Sequence, residues 1–101
     1  MFMNPMIERL ESIVSRYNEL GELLLKPETL SDNRLMAKYA KEQASLTQVV
    51  ETYAEYKKVN EELEAAHELL MEKDEEMKEM AKMEIEELEP KKEELHQKLE
   101  I

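Results

Sequence analysis

Apolar side chains return every three or four residues along most of this chain, and that rhythm divides it into three segments. In the first, Met6, Ile7, Leu10, Ile13, Val14, Tyr17, Leu20 and Leu24 line one face of a helix. Asn4 is a favoured N-cap, and Pro5 suits the first helical position, where its missing N–H costs nothing. Gly21 interrupts this helix at a cost of about 1 kcal/mol relative to Ala. Lys26-Pro27 stops it, because a residue before proline avoids helical backbone angles.

A link from Pro27 to Leu30 leads to the second segment. Ser31 is the predicted N-cap, with Asp32 in the first turn beside the positive helix end. A 4,3,4,3 spacing then runs through Leu35, Tyr39, Glu42, Leu46, Val49, Tyr53, Tyr56, Asn60, Leu63, His67 and Leu70, a heptad seam about five repeats long. Val50, Val59 and Ala66 widen the seam into a face suited to a bundle. The third segment starts at Asp74, a good cap followed by Glu75 and Glu76. Met77, Met80, Ala81, Ile85, Leu88, Leu95 and Leu99 supply its apolar side, and Pro90 inside it predicts a kink near Glu86–Pro90. Glu87/Lys91 and Glu94/Lys98 are spaced to support the exposed side.

The links are short, so neighbouring helices should run antiparallel. The expected fold is all-α: an antiparallel three-helix, coiled-coil-like bundle with a long second helix and a kink near Pro90 in the third. Residues 1–101 read as a single helical domain, with helices over about 5–25, 32–72 and 75–99.

Composition supports this. Charged residues make up 39 % of the 101, aromatics 5 %, and there is one glycine, so strands lack the turn residues they need. The net charge of −11 is uneven: residues 1–60 carry 8 basic and 9 acidic side chains, residues 61–101 carry 6 and 16. A phosphate backbone is repelled by the second portion, so no direct nucleic-acid contact is expected from residues 61–101, and a basic protein partner fits better. No apolar run approaches the roughly 20 residues a membrane span needs, so the expectation is a protein of the cytoplasm with no membrane partner.

Candidate chemistry is scarce. One glycine cannot build a phosphate-cradling loop. Ser12, Ser15 and Ser45 sit on helices and His67 and His96 on different segments, which does not make a nucleophilic triad. Glu64, His67 and Glu68 share a helical turn, yet the second Glu-x-x-His that a di-iron bundle needs is absent. The expectation is therefore no catalytic, cofactor-binding or metal residue, no cofactor, and no enzyme. Tyr53 and Tyr56 could stack on bases, but Lys57-Lys58 stands among Glu51, Glu55, Glu61 and Glu62, and packing in the seam accounts for them more simply. Met77 and Met80 are expected to fill the core, whereas Met36, Met71 and Met83 fit either core or an adaptable surface.

The runs LGELLLKPETLSDNRLMAKYAKEQASL, VVETYAEYKKV and EEMKEMAKMEIEELEPKKEEL carry a resemblance. Across essentially the whole chain the sequence resembles the amino-terminal domain of the bacterial peptide chain release factor 1 family, the class I translation release factors. The matching features are Leu23–Leu25, Leu30–Asp32, Tyr53–Lys57 and Met80–Leu88; the tyrosine pair argues for this branch over the related factor reading UGA. Lys26 replaces an expected Asp before Pro27, and Pro90 replaces a charged helix former. All are packing and capping positions. The resemblance implies a docking domain of a protein that directs termination at UAA and UAG codons, with the large-subunit stalk base of the ribosome and a GTPase release factor as partners. The family's Gly-Gly-Gln and codon-reading tripeptide do not occur in these residues, so the chain is expected to be a fragment, inactive alone. The alternative is a free-standing coiled-coil adaptor or chaperone-like module. A partly uncovered seam can also pair with a second copy, giving a homodimer of the fragment.

Overall fold

A computed structural model describes residues 4–100. It is all-α, with α1 over Pro5–Leu23, α2 over Pro27–Leu30, α3 over Asn33–Leu69 and α4 over Glu75–Leu99. The chain divides into two compact units, Met1–Glu51 and Thr52–Ile101, so α3 contributes its first half to one and its second half to the other.

In the first unit α1 begins as its sequence dictates. The Asn4 side chain accepts a hydrogen bond of 2.8 Å from the Met6 amide, and Pro5 takes the first helical position. Leu10 and Leu20 are the most deeply buried residues of α1, with Met6, Ile7, Ile13, Val14 and Tyr17 half-buried around them. The predicted link from Pro27 to Leu30 is itself a turn of helix, again opened by a proline, and it buries Thr29. Ser31 does not cap α3. Its hydroxyl donates back to the Glu28 carbonyl at 3.3 Å, and Asp32 accepts from the amides of Arg34 and Leu35, both at 3.1 Å. The cap is one residue later than predicted because Ser31 is occupied in ending α2, and Asp caps as well as Ser.

Gly21 lies where α1 and α3 approach each other. A methyl group there would stand 3.3 Å from Nε2 of Gln43, whose amide reaches the Tyr17 carbonyl at 3.5 Å. One turn earlier, Arg16 grips Glu42 with two bonds, Nε to Oε2 at 2.6 Å and Nη2 to Oε1 at 2.8 Å. A fork meeting a fork in this way is the strong geometry for the pair. It resolves the one acidic residue that the heptad rhythm assigns to the seam.

In the second unit the buried stripe of α3 is Tyr53, Tyr56, Val59, Leu63 and Ala66. The heptad extrapolation names Asn60 and His67 where the structure buries their neighbours Val59 and Ala66. A straight helix drifts by about 20° per heptad, and burying Val and Ala costs no hydrogen bonds, whereas Asn and His would need partners. On α4 the matching positions are Ala81, Ile85, Leu88, Lys92, Leu95 and Leu99, an unbroken 4,3,4,3,4 series whose apolar members are buried except the half-buried Ile85. The strands of contact run in opposite senses: His67 faces Glu89 at 3.9 Å, and eleven residues earlier Tyr56 faces His96, with ring centroids 6.0 Å apart. This helix pair is antiparallel.

Asp74 caps α4 by accepting from the Glu76 amide at 2.9 Å. The helix then continues through Pro90, which is exposed, and does not break there. Lys98 pairs with Glu94 at 3.5 Å as the spacing suggests. Lys91 instead crosses to Glu55 of α3 at 3.2 Å, so this charge ties the two helices of the unit together.

Candidate docking surface

Tyr53 is 2 % exposed and Tyr56 8 %, which places both rings in the seam and away from any stacking surface. The Lys57 ammonium lies 4.7 Å from the centre of the Tyr53 ring, a cation–π contact at the margin of the core. The Tyr56 ring lies tilted by 48° to His96, which in turn sits 3.5 Å from Glu100. Among the described residues no buried side-chain nitrogen or oxygen lacks a hydrogen-bond partner, so no polar group inside waits for a ligand.

The residues weighed for metal chemistry do not converge. His67 is exposed and turned toward Glu89, away from a shared site with Glu64 and Glu68. Among the described residues no three His, Cys, Asp or Glu side chains form a group that could hold a metal ion. Ser12 and Ser15 line a shallow depression with Glu11, Arg16 and Glu19, all from one face of α1. No histidine faces it. Here the guanidinium of Arg16 holds the Glu42 carboxyl below the usual carboxylate range, chiefly through the hydrogen bonds between them. The same bonds, with a smaller share from Glu19, raise Arg16 further above its already high value. This is a structural bridge in which the two groups satisfy each other between α1 and α3.

What remains is surface. Residues 52–101 hold 8 basic and 17 acidic side chains, a net −9 on a unit of fifty residues. Between α3 and α4, and along the first turns of α4, that acidic surface carries apolar side chains. Met71 is 88 % exposed, Met80 and Met83 69 % each, and Met77 40 %. The expected burial of Met77 and Met80 is therefore wrong. α4 starts at Glu75, so Met77 stands in its first turn, while Met80 and Met83 lie beside the packed series Ala81, Ile85 and Leu88 and off the face it defines. Met77, Met80 and Met83 follow one another at i, i+3, so they are neighbours along one flank of α4. Spacing alone leaves the choice of face open, and the observed buried series of α4 leaves Met80 and Met83 outside it. Among the described residues no helix is long and apolar enough to cross a membrane.

Two antiparallel helices with a packed seam and a charged, methionine-studded exterior make the second unit an all-α hairpin. Comparison with known proteins gives the family: the PCRF domain matches residues 13–101, and the chain belongs to the PCRF domain family. It is similar to peptide chain release factor 1 of Geobacillus sp. (strain WCH70), 50 % identical over 97 residues. The same protein in Listeria welshimeri is 47 % identical and in Oceanobacillus iheyensis 46 %. Each match covers 95 % of this chain and 27 % of the relative, so the chain spans about a quarter of the length of these curated proteins. The resemblance to the release factor 1 family is thereby borne out. No solved structure matches significantly.

Proposed function

We propose that this chain is the amino-terminal docking domain of a peptide chain release factor, acting in the cytoplasm in termination at UAA and UAG codons. The observation that carries the reading is the 50 % identity to a release factor 1 over nearly the whole chain. The geometry supports a docking role in particular: the buried positions pack the helices, the exposed ones are mostly charged, and among the described residues no three His, Cys, Asp or Glu side chains group to hold a metal ion. Codon reading and peptidyl-tRNA hydrolysis belong, on this reading, to other parts of a release factor, since no Gly-Gly-Gln occurs in these 101 residues. Residues 1–101 then serve as a single positioning domain.

The partners proposed are the stalk base of the large ribosomal subunit and the GTPase release factor. A surface of net −9 suits basic protein, and such complementarity raises association rates more than it raises affinity. The test combines two measurements on the purified chain. Added to ribosomes programmed with a stop codon and peptidyl-tRNA, it should release no peptide. Added to ribosomes with and without the stalk-base proteins, it should bind the complete particles more tightly, and the difference should shrink with salt. Release at any stop codon, or equal binding to both kinds of ribosome, would overturn the proposal.

A further inference from the structure

Cysteine is absent from the chain, so thioethers are its only sulfur. Those of the described residues fall into two environments. Met6 and Met36 are half-buried in the first unit, whereas Met71, Met77, Met80 and Met83 stand exposed in the second. Oxidation of methionine follows access of the oxidant to sulfur, and no thiolate in this chain competes for it. Lys78 and Lys82, which flank the stripe, are engaged with Glu75 and Glu79 at 3.5 Å each and do not cover it.

We propose that Met71, Met77, Met80 and Met83 form a reversible oxidation site, modified by hydrogen peroxide without unfolding the unit that carries them. In each event the peroxide O–O bond breaks and one oxygen is transferred to sulfur. The thioether loses two electrons to become a sulfoxide, and the peroxide is reduced to water. The product is polar, so four apolar side chains on an acidic surface become hydrogen-bond acceptors. Methionine sulfoxide reductases of both stereospecificities reverse the change. The core is unaffected because its members near the site, Ala81 and Leu88, carry no sulfur and are 0 % and 8 % exposed.

The experiment treats the full chain with dilute hydrogen peroxide, stops the reaction at intervals and follows each methionine by peptide mass spectrometry. Helicity and thermal unfolding are read in parallel by circular dichroism. The four exposed methionines should gain oxygen at least about threefold faster than Met6 and Met36, the unfolding transition should stay in place, and a mixture of the two reductases should return the original mass. Equal rates at all six positions would overturn the proposal. So would loss of the helical signal in step with oxidation of Met77, Met80 and Met83. A variant with these four changed to Leu separates the alternatives: it should keep the fold and leave Met6 and Met36 reacting at their slow rates, and faster reaction of those two would show that exposure does not set the order.

Discussion

Replacing Pro90, which is exposed inside α4, by Ala should stabilise the second unit. Pro90 is the sixteenth of twenty-five residues in α4, so the helix continues for more than two turns beyond it. Its ring nitrogen cannot donate to the carbonyl of Glu86, and the ring crowds that same carbonyl. Proline in a helix interior costs about 3 kcal/mol relative to Ala. Of this, the missing hydrogen bond accounts for about 1 kcal/mol, and crowding for most of the rest. Glu86 and Pro90 are both exposed, so water reaches the freed carbonyl and no further desolvation penalty arises.

The expected gain for Pro90→Ala is therefore about 2–3 kcal/mol. For a domain of this size that raises the melting temperature by about 10 °C or more. Urea unfolding followed at 222 nm gives the change directly, with Glu87→Ala as a control on the same exposed turn, expected within about 0.5 kcal/mol of the parent. A midpoint that stays put or falls would refute the reasoning. It would mean that Leu88 and Leu95, on either side of the proline, reach the seam only because the helix deforms at Pro90.

Two further perturbations test the packing of each unit. Tyr53→Ala removes a ring that is 2 % exposed and should cost about 3–5 kcal/mol, lowering the urea midpoint of the second unit; a change under about 1 kcal/mol would place the ring outside the core. Glu42→Gln removes the carboxylate gripped by Arg16. Because the folded protein holds this carboxyl below its ordinary value, its stabilising contribution is present above the ordinary carboxylate range and lost as pH falls through the depressed one. The parent should exceed Glu42→Gln in stability at neutral pH, and the two should converge as pH falls below the ordinary carboxylate range and through the depressed one; a difference independent of pH would deny the charged bridge.

The rhythm of apolar residues marks the helices well, because burial of one face is what makes each helix stable. Asn4-Pro5 and Asp74 can be read as caps from residue type alone, and both do cap. The errors arise where the deciding group lies elsewhere in the chain. Glu42 is an anomaly on its own helix and is explained by Arg16, twenty-six residues earlier. Lys91 has Glu87 at helical spacing, yet it pairs with Glu55 across the seam. Ser31 and Asp32 are equally good caps by type, and the choice falls to Asp32 only because the link before them coils into α2.

The methionines extend the same point from structure to function. Ala81 and Met77 are one turn apart on α4 and equally well placed in the periodic pattern, but Ala81 is fully buried and Met77 is 40 % exposed. Met77 lies in the first turn of α4, two residues after its start at Glu75, whereas Ala81 lies one turn further in and begins the buried series. Met80 and Met83, each 69 % exposed, add little to the packing of the unit that carries them. If Met80 served the fold, Met80→Glu would lower the urea midpoint of the second unit; the geometry predicts a change within about 0.5 kcal/mol, together with weaker binding to ribosomes.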